Sequence, residues 1–322
     1  MKGSIIAGSL VVVGAAMLFG TLSYIARQAE AVGIGAFAFV FWRGALASAV
    51  LIGVTAMAVA ARRSRLPDPR RLSRRQQTRF LLACAVGALL NMAMFVAFLR
   101  TEVAVVLITF YIFPAIVTVG AVRFYGERLD LARGGALVLA MAGLVLVLVA
   151  PLLSAGRLDL DPLGVGLALL AALCQATFLL LSGRGYPPLS SMHVSIYVIG
   201  AAGLLALPLA LFAGDPQALV QPFVDGQAWI WVVAGGITGA AIPTTMLLTG
   251  MNIIGPSRTA ILMTVEPVVG VAIAGLLLHE QPVPLQLVGG AAVLAAAIIL
   301  QAGPRGPRSV VPEETGEYQQ LV

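Results

Sequence analysis

Ten stretches of about 20 largely apolar residues fill this sequence, and nothing else in it restricts the fold so tightly. They run at about 4–26, 34–60, 80–99, 103–122, 134–153, 163–183, 192–213, 228–250, 257–278 and 284–302. A bilayer core offers no water to a peptide group, so each crossing must satisfy its hydrogen bonds internally, as a helix does. Charged residues make up 11% of the 322-residue chain, against roughly 25% in soluble domains, and the mean hydropathy is +0.99. The expected class is therefore an all-α polytopic membrane protein with ten transmembrane helices. Pro208 and Pro243 interrupt the seventh and eighth stretches. Cys84 and Cys174 lie within apolar runs and read as small buried hydrophobes, with no disulfide framework implied. The polar segment 303–322 reads as a disordered tail.

Loop charges orient the chain. With the N-terminus in the cytoplasm, sixteen of the twenty lysines and arginines fall inside, eight of them in the basic loop 62–79. Three fall outside (Arg27, Arg100 and Arg157), and Arg43 lies within the second span. Both termini are thus expected in the cytoplasm. The net charge of +6 is accounted for by topology, without a nucleic-acid partner. Binding of the basic loop to anionic lipid is the sharper alternative.

The chain also repeats itself. The segment ITFYIFPAIVTVGAVRFYGERL (108–129) parallels ILMTVEPVVGVAIAGLLLHEQP (261–282). Pro114 and Pro267 are 153 residues apart, as are Glu127 and Glu280, and a Gly-Gly pair opens each following span (Gly134-Gly135, Gly289-Gly290). Five spans per copy is an odd number, so the second copy must enter the membrane from the other side. The expected organisation is a first five-helix repeat at 1–153, a second, inverted repeat at 154–302, and a cytoplasmic tail at 303–322. Inverted repeats are the build of many secondary transporters, with substrate bound near the midplane between the halves.

Two charges lie deep: Arg43 in FVFWRGALAS and Glu266 in TVEPVV. Each is expected about nine residues, or roughly 14 Å, from one end of its span. Neither gains anything facing lipid, so both are expected to point into the bundle, towards a polar cavity or towards each other. Three readings stay open: an ion pair that only fixes packing, a contact with substrate or a coupling proton, and a neutral carboxyl. Pro267 and Pro114 break their helices and are expected to free the carbonyls of Met263 and Phe110 one turn earlier. Broken spans in matching positions of two halves point to the transport site. Other polar groups near mid-depth are candidate lining: Tyr24, Asn91, Tyr111, Gln175, Tyr197, Thr245 and Thr264. Asn91 and Gln175 lead, because an amide in hydrocarbon needs partners. Small residues four apart, Gly235 with Gly239 and Gly270 with Ala274, suit close helix packing. His193 and His279 sit at span ends, where solvation is expected. No ATP-binding GxxxxGK[ST], no HExxH or other metal cluster and no GxSxG elbow occurs, so no cofactor, metal or catalytic residue is assigned.

On the units FPAIVTVGAVRFYGERL and EPVVGVAIAGLLLHEQP, with Arg43 in span two, the chain resembles the EamA family of the drug/metabolite transporter superfamily. The resemblance spans about residues 4–302. It implies a basket-like bundle around a central cavity, in a bacterial inner membrane. It implies a monomer moving amino acids, amines, other metabolites or drugs by secondary transport or facilitated diffusion. It favours Asn91, Tyr111, Gln175 and Glu266 as lining and puts Tyr197 on a less central helix. The halves differ chemically: Phe113 stands where the second half has Glu266, and His279-Glu280 stands where the family pattern has Gly-Glu. A membrane-embedded enzyme or lipid-handling protein is the alternative reading.

Overall fold

The computed structural model describes residues 2–61, 68–127, 130–155, 161–212, 216–277 and 283–302. Among these, nine helices are long and apolar enough to cross a membrane, and a shorter apolar helix follows at the C-terminal end. In chain order the α-helices are α1 Lys2–Gly20, α2 Leu22–Ala31, α3 Ala36–Ala60, α4 Arg74–Arg100, α5 Val103–Phe110, α6 Phe113–Tyr125, α7 Leu131–Ala155 and α8 Pro162–Ser182. They continue as α9 Ser191–Phe212, α10 Gln221–Val224, α11 Ala228–Gly236, α12 Ile242–Ile254, α13 Pro256–Leu262, α14 Val265–Leu277 and α15 Pro284–Ala302. A π-helical turn, Ile237–Ala241, joins α11 to α12. The chain is a multi-pass membrane protein: Leu81, Leu99, Val119, Val138, Leu204 and Ile298 are 66–71% exposed on its flanks, a surface that only lipid covers without cost.

Local chemistry sets the ends. Ser73 and Gln76 form a reciprocal capping box (Gln76 N–H to Ser73 Oγ 3.4 Å, Ser73 N–H to Gln76 Oε1 3.1 Å). The third span therefore begins at Arg74, six residues before the expected start, and takes the end of the basic loop with it. Asp161 caps α8 ahead of Pro162, its carboxylate accepting the Leu163 N–H at 3.0 Å. Gly126, at φ +64°, closes α6 in a left-handed turn, so that the Glu127 N–H reaches back to the Ala121 carbonyl.

The helices pair along their lengths: α7 with α15, α4 with α8, α3 with α9, and α1 with α12. α6 packs on α13, and α1 also packs on α14. One core cluster, drawn from α1, α4, α6–α9 and α12–α15, fills the middle. Where α7 crosses α15 the backbones nearly touch. A Cβ on Gly143 would lie 2.6 Å from the Gly289 carbonyl and 2.9 Å from the Ala292 Cβ. Backbone cannot move aside as a side chain can, so Gly143→Val is expected to lower stability by at least about 1–3 kcal/mol, seen as a lower Tm of the purified protein. Cys84 and Cys174 are buried free thiols.

Candidate functional site

Two of the expected spans are broken at matching places. In the fourth, α5 ends at Phe110 and α6 begins at Phe113; in the ninth, α13 ends at Leu262 and α14 begins at Val265. Pro114 and Pro267 lie in the first turns of the restarted helices, as their missing N–H groups require. At the second break the Thr264 N–H donates to the Ile261 carbonyl (3.1 Å) and the Glu266 N–H to the Met263 carbonyl (3.0 Å). The Met263 carbonyl expected to be free is therefore occupied: the chain tightens to a three-residue turn, which supplies a donor one residue before the proline. Thr264 is buried and also serves the break, its hydroxyl donating to the Ile261 carbonyl at 2.6 Å.

The two breaks meet. Tyr111, buried at the break of the fourth span, puts its hydroxyl within hydrogen-bonding reach of the Glu266 carboxyl. Glu266 thus points across the bundle at the broken span of the first half of the chain. A third bend adjoins them. α1 gives way to α2 at Gly20–Thr21, where a Cβ on Gly20 would lie 2.8 Å from the Glu266 carbonyl and 2.8 Å from the Val269 Cβ. The space beside the pair is filled: Tyr111, Phe113, Met263 and Val265 are buried in one core with Leu247 and Met251.

Arg43 belongs to a separate polar centre. It is 8% exposed and makes no ion pair with Glu266 among the described residues. Its Nη2 donates to Asn91 Oδ1 (3.0 Å) on α4, and its Nη1 to the Gly239 carbonyl (3.2 Å) in the π-helical turn. Asn91 is fixed in turn, its Nδ2 donating to the Gly87 carbonyl at 2.9 Å. Gly239 lies four residues before Pro243, the place where a proline leaves a carbonyl without its helical donor. Arg43 fills that vacancy. The signal is present in the sequence, where Pro243 follows Gly239 by four residues as Pro267 follows Met263. Because α3 starts at Ala36, Arg43 lies about 10 Å from the helix end, shallower than the midpoint expected for it.

The remaining candidates scatter. Thr245 donates to Ser195 Oγ (3.1 Å) and to the Ala241 carbonyl (2.8 Å), tying α12 to α9. Gln175 is buried in α8. Tyr24 stands edge-on to Trp231, with centroids 5.9 Å apart, in an aromatic group with Trp42 and Trp229. Tyr197 packs edge-on to Phe80. Gly235 and Gly239 receive the side chains of Phe39 and Leu22. His193 is buried, its Nδ1 accepting the Ser190 N–H, which corrects its expected solvation. His279, Glu280, Arg157 and the tail 303–322 lie outside the described residues. Among the described residues, no group of three or more His, Cys, Asp or Glu could hold a metal ion.

The sequence profile of the EamA-like transporter family matches the chain twice, over residues 6–149 and 162–301. An uncharacterized transporter of Archaeoglobus fulgidus is 27% identical over 222 residues, covering 69% of this chain and 76% of the relative. A solved crystal structure superposes with a TM-score of 0.75 over 91% of this chain and 96% of the other, at 21% identity, which shows a common fold.

Proposed function

The chain belongs to the EamA-like transporter family, and from that premise we propose that it is a secondary transporter moving small metabolites such as amino acids or amines by alternating access. In this reading residues 1–153 and 154–302 are inverted five-helix repeats. The double match of the family profile supports this. So does the packing, because exchanging each span with the one five later carries the neighbour pairs into one another: α3 with α9, α7 with α15 and α6 with α13 each return themselves, and α4 with α8 becomes α12 with α1. The arginine-rich end faces the cytoplasm of a bacterial cell, and the protein works as a monomer.

The observation that carries the reading is the meeting of Glu266 and Tyr111 at two broken spans, one from each half. A carboxyl at that depth is costly unless it serves the bundle interior, and broken helices at matching positions are where such carriers hold solute. Substrate or a coupling proton meets Glu266, with Thr264 and Tyr111 shaping the contact. Arg43, Asn91, Gln175, Thr245 and Tyr24 act at greater distance.

Purified protein is first screened with metabolites by thermal shift, since a ligand of the folded state raises its stability. Hits are then tested for flux in liposomes. Flux of a stabilising metabolite that depends on Glu266 supports the reading. Chemical turnover of the solute without flux supports a membrane enzyme and sinks it.

A further inference from the structure

A buried charged cluster at the arginine-rich end lies outside the central pair. The left-handed turn at Gly126 swings Glu127 back under the bundle, where its Oε2 meets Arg133 Nη1 of α7 at 3.3 Å, with the two side chains 17% and 9% exposed. Its Oε1 lies against the link between α12 and α13: a Cβ on Gly255 would be 2.8 Å away, and Gly255 holds φ +84°. Arg258 of α13 is 5% exposed and interacts electrostatically with Glu127, Asp130 and Arg133. One turn into the bundle, Ser257 Oγ donates to Thr118 Oγ1 at 3.3 Å. Beside them the Tyr125 hydroxyl donates to the Leu180 carbonyl of α8, and Arg184 stacks on the Tyr125 ring at 5.0 Å. Glu127, Thr118 and Tyr125 belong to the first half of the chain; Arg258, Ser257, Leu180 and Arg184 belong to the second.

We propose that the Glu127–Arg133–Arg258 cluster is a latch between the halves, which must part whenever the protein opens at its arginine-rich end. The proposal rests on the alternating-access reading above. A transporter that opens there has to separate α6 from α13, and these residues are the charged contact across that seam. The contact is strong enough to specify closure and weak enough to release. Burial pushes the Glu127 carboxyl up from its ordinary range, and Arg133 and Arg258 pull it back only part of the way. A sheltered ion cluster of this kind gains little net energy, yet placing like charges within it is severe. On the described part of the opposite end, the ion pair between the halves is Arg100 with Asp161, at 3.8 Å and well exposed.

The test uses full-length protein in liposomes, with Cys84 and Cys174 replaced by alanine and a reporter at Ser257→Cys. A membrane-impermeant maleimide is applied from the arginine-rich side. Glu127→Lys should speed labelling at position 257 by about tenfold or more, because three cations then face one another. It should leave a second reporter, Ala29→Cys in α2, unchanged. The swapped pair Glu127→Lys/Arg258→Glu should return the rate close to the starting value. Should Glu127→Lys fail to fold, Arg258→Gln, which takes the Arg258 charge out of the seam and leaves Glu127 paired with Arg133, should raise labelling to a lesser degree. An unchanged rate in the folded variant, a swap that restores nothing, or equal acceleration at both reporters would overturn the latch. Labelling needs no substrate, so a latch that responds in a protein without flux condemns the transport reading alone, and flux with an unresponsive latch condemns the latch alone.

Discussion

Replacing Glu266 with glutamine should cut solute flux by about tenfold to a hundredfold while leaving the protein as stable as before. The loss follows from the chemistry at the pair. A hydrogen bond to a charged group is worth about 1.5–3 kcal/mol, against about 1 for a neutral one, and a glutamine holds neither a cationic solute nor a transferable proton. Stability should hold because glutamine keeps the shape and can still accept from the Tyr111 hydroxyl. It also removes a charge that costs about 2.5–3.5 kcal/mol in mid-membrane. The measurement is paired: initial flux in liposomes, and Tm in detergent. A carboxyl that only fastened helices would give the opposite pattern, a lower Tm with flux falling in proportion. If a proton drives the cycle, the residual flux of Glu266→Gln should also lose its dependence on pH.

Arg43→Met should do the reverse and act first on stability. The arginine holds two acceptors, the Asn91 side chain and the Gly239 carbonyl. With it gone, Pro243 offers Gly239 no donor, and each orphaned acceptor costs about 1–3 kcal/mol. Thermal unfolding of the variant should start well below that of the parent. Arg43→Lys should fall between, since one ammonium cannot span both acceptors as the guanidinium fork does. Flux that disappears at unchanged Tm would instead make Arg43 a substrate ligand.

These two residues show how far the chain could be read without coordinates. Span positions were legible because apolar length is a local property, and the broken fourth and ninth spans were legible because proline removes a donor wherever it sits. Depth was readable for Glu266, ten residues into its span of 22. It was less so for Arg43, because the start of α3 is set by the Gly33–Gly35 turn rather than by hydropathy. Partners were not legible. Nothing in FVFWRGALAS says that Arg43 turns to Asn91 and Gly239 instead of Glu266; that choice depends on which helices stand beside it. The burial of His193 was hidden for the same reason, since the end of a span is not the surface of a protein when other helices cover it. The central packing was hidden as well, because Phe113 and Met263 read as ordinary apolar positions, and Tyr111 as one polar candidate among several, until the two breaks brought them together.

The five-residue turn Ile237–Ala241 takes up one more residue than an α-helix would over the same rise. Everything downstream in α12 is consequently rotated by about 100° relative to an uninterrupted helix. The hydroxyl of Thr245 and the amide of Asn252 meet Ser195 and Ser191 only because of that offset. The seam between these two helices is thus indexed by a single surplus residue, and a chain one residue shorter there would present a different stripe of side chains to its neighbour.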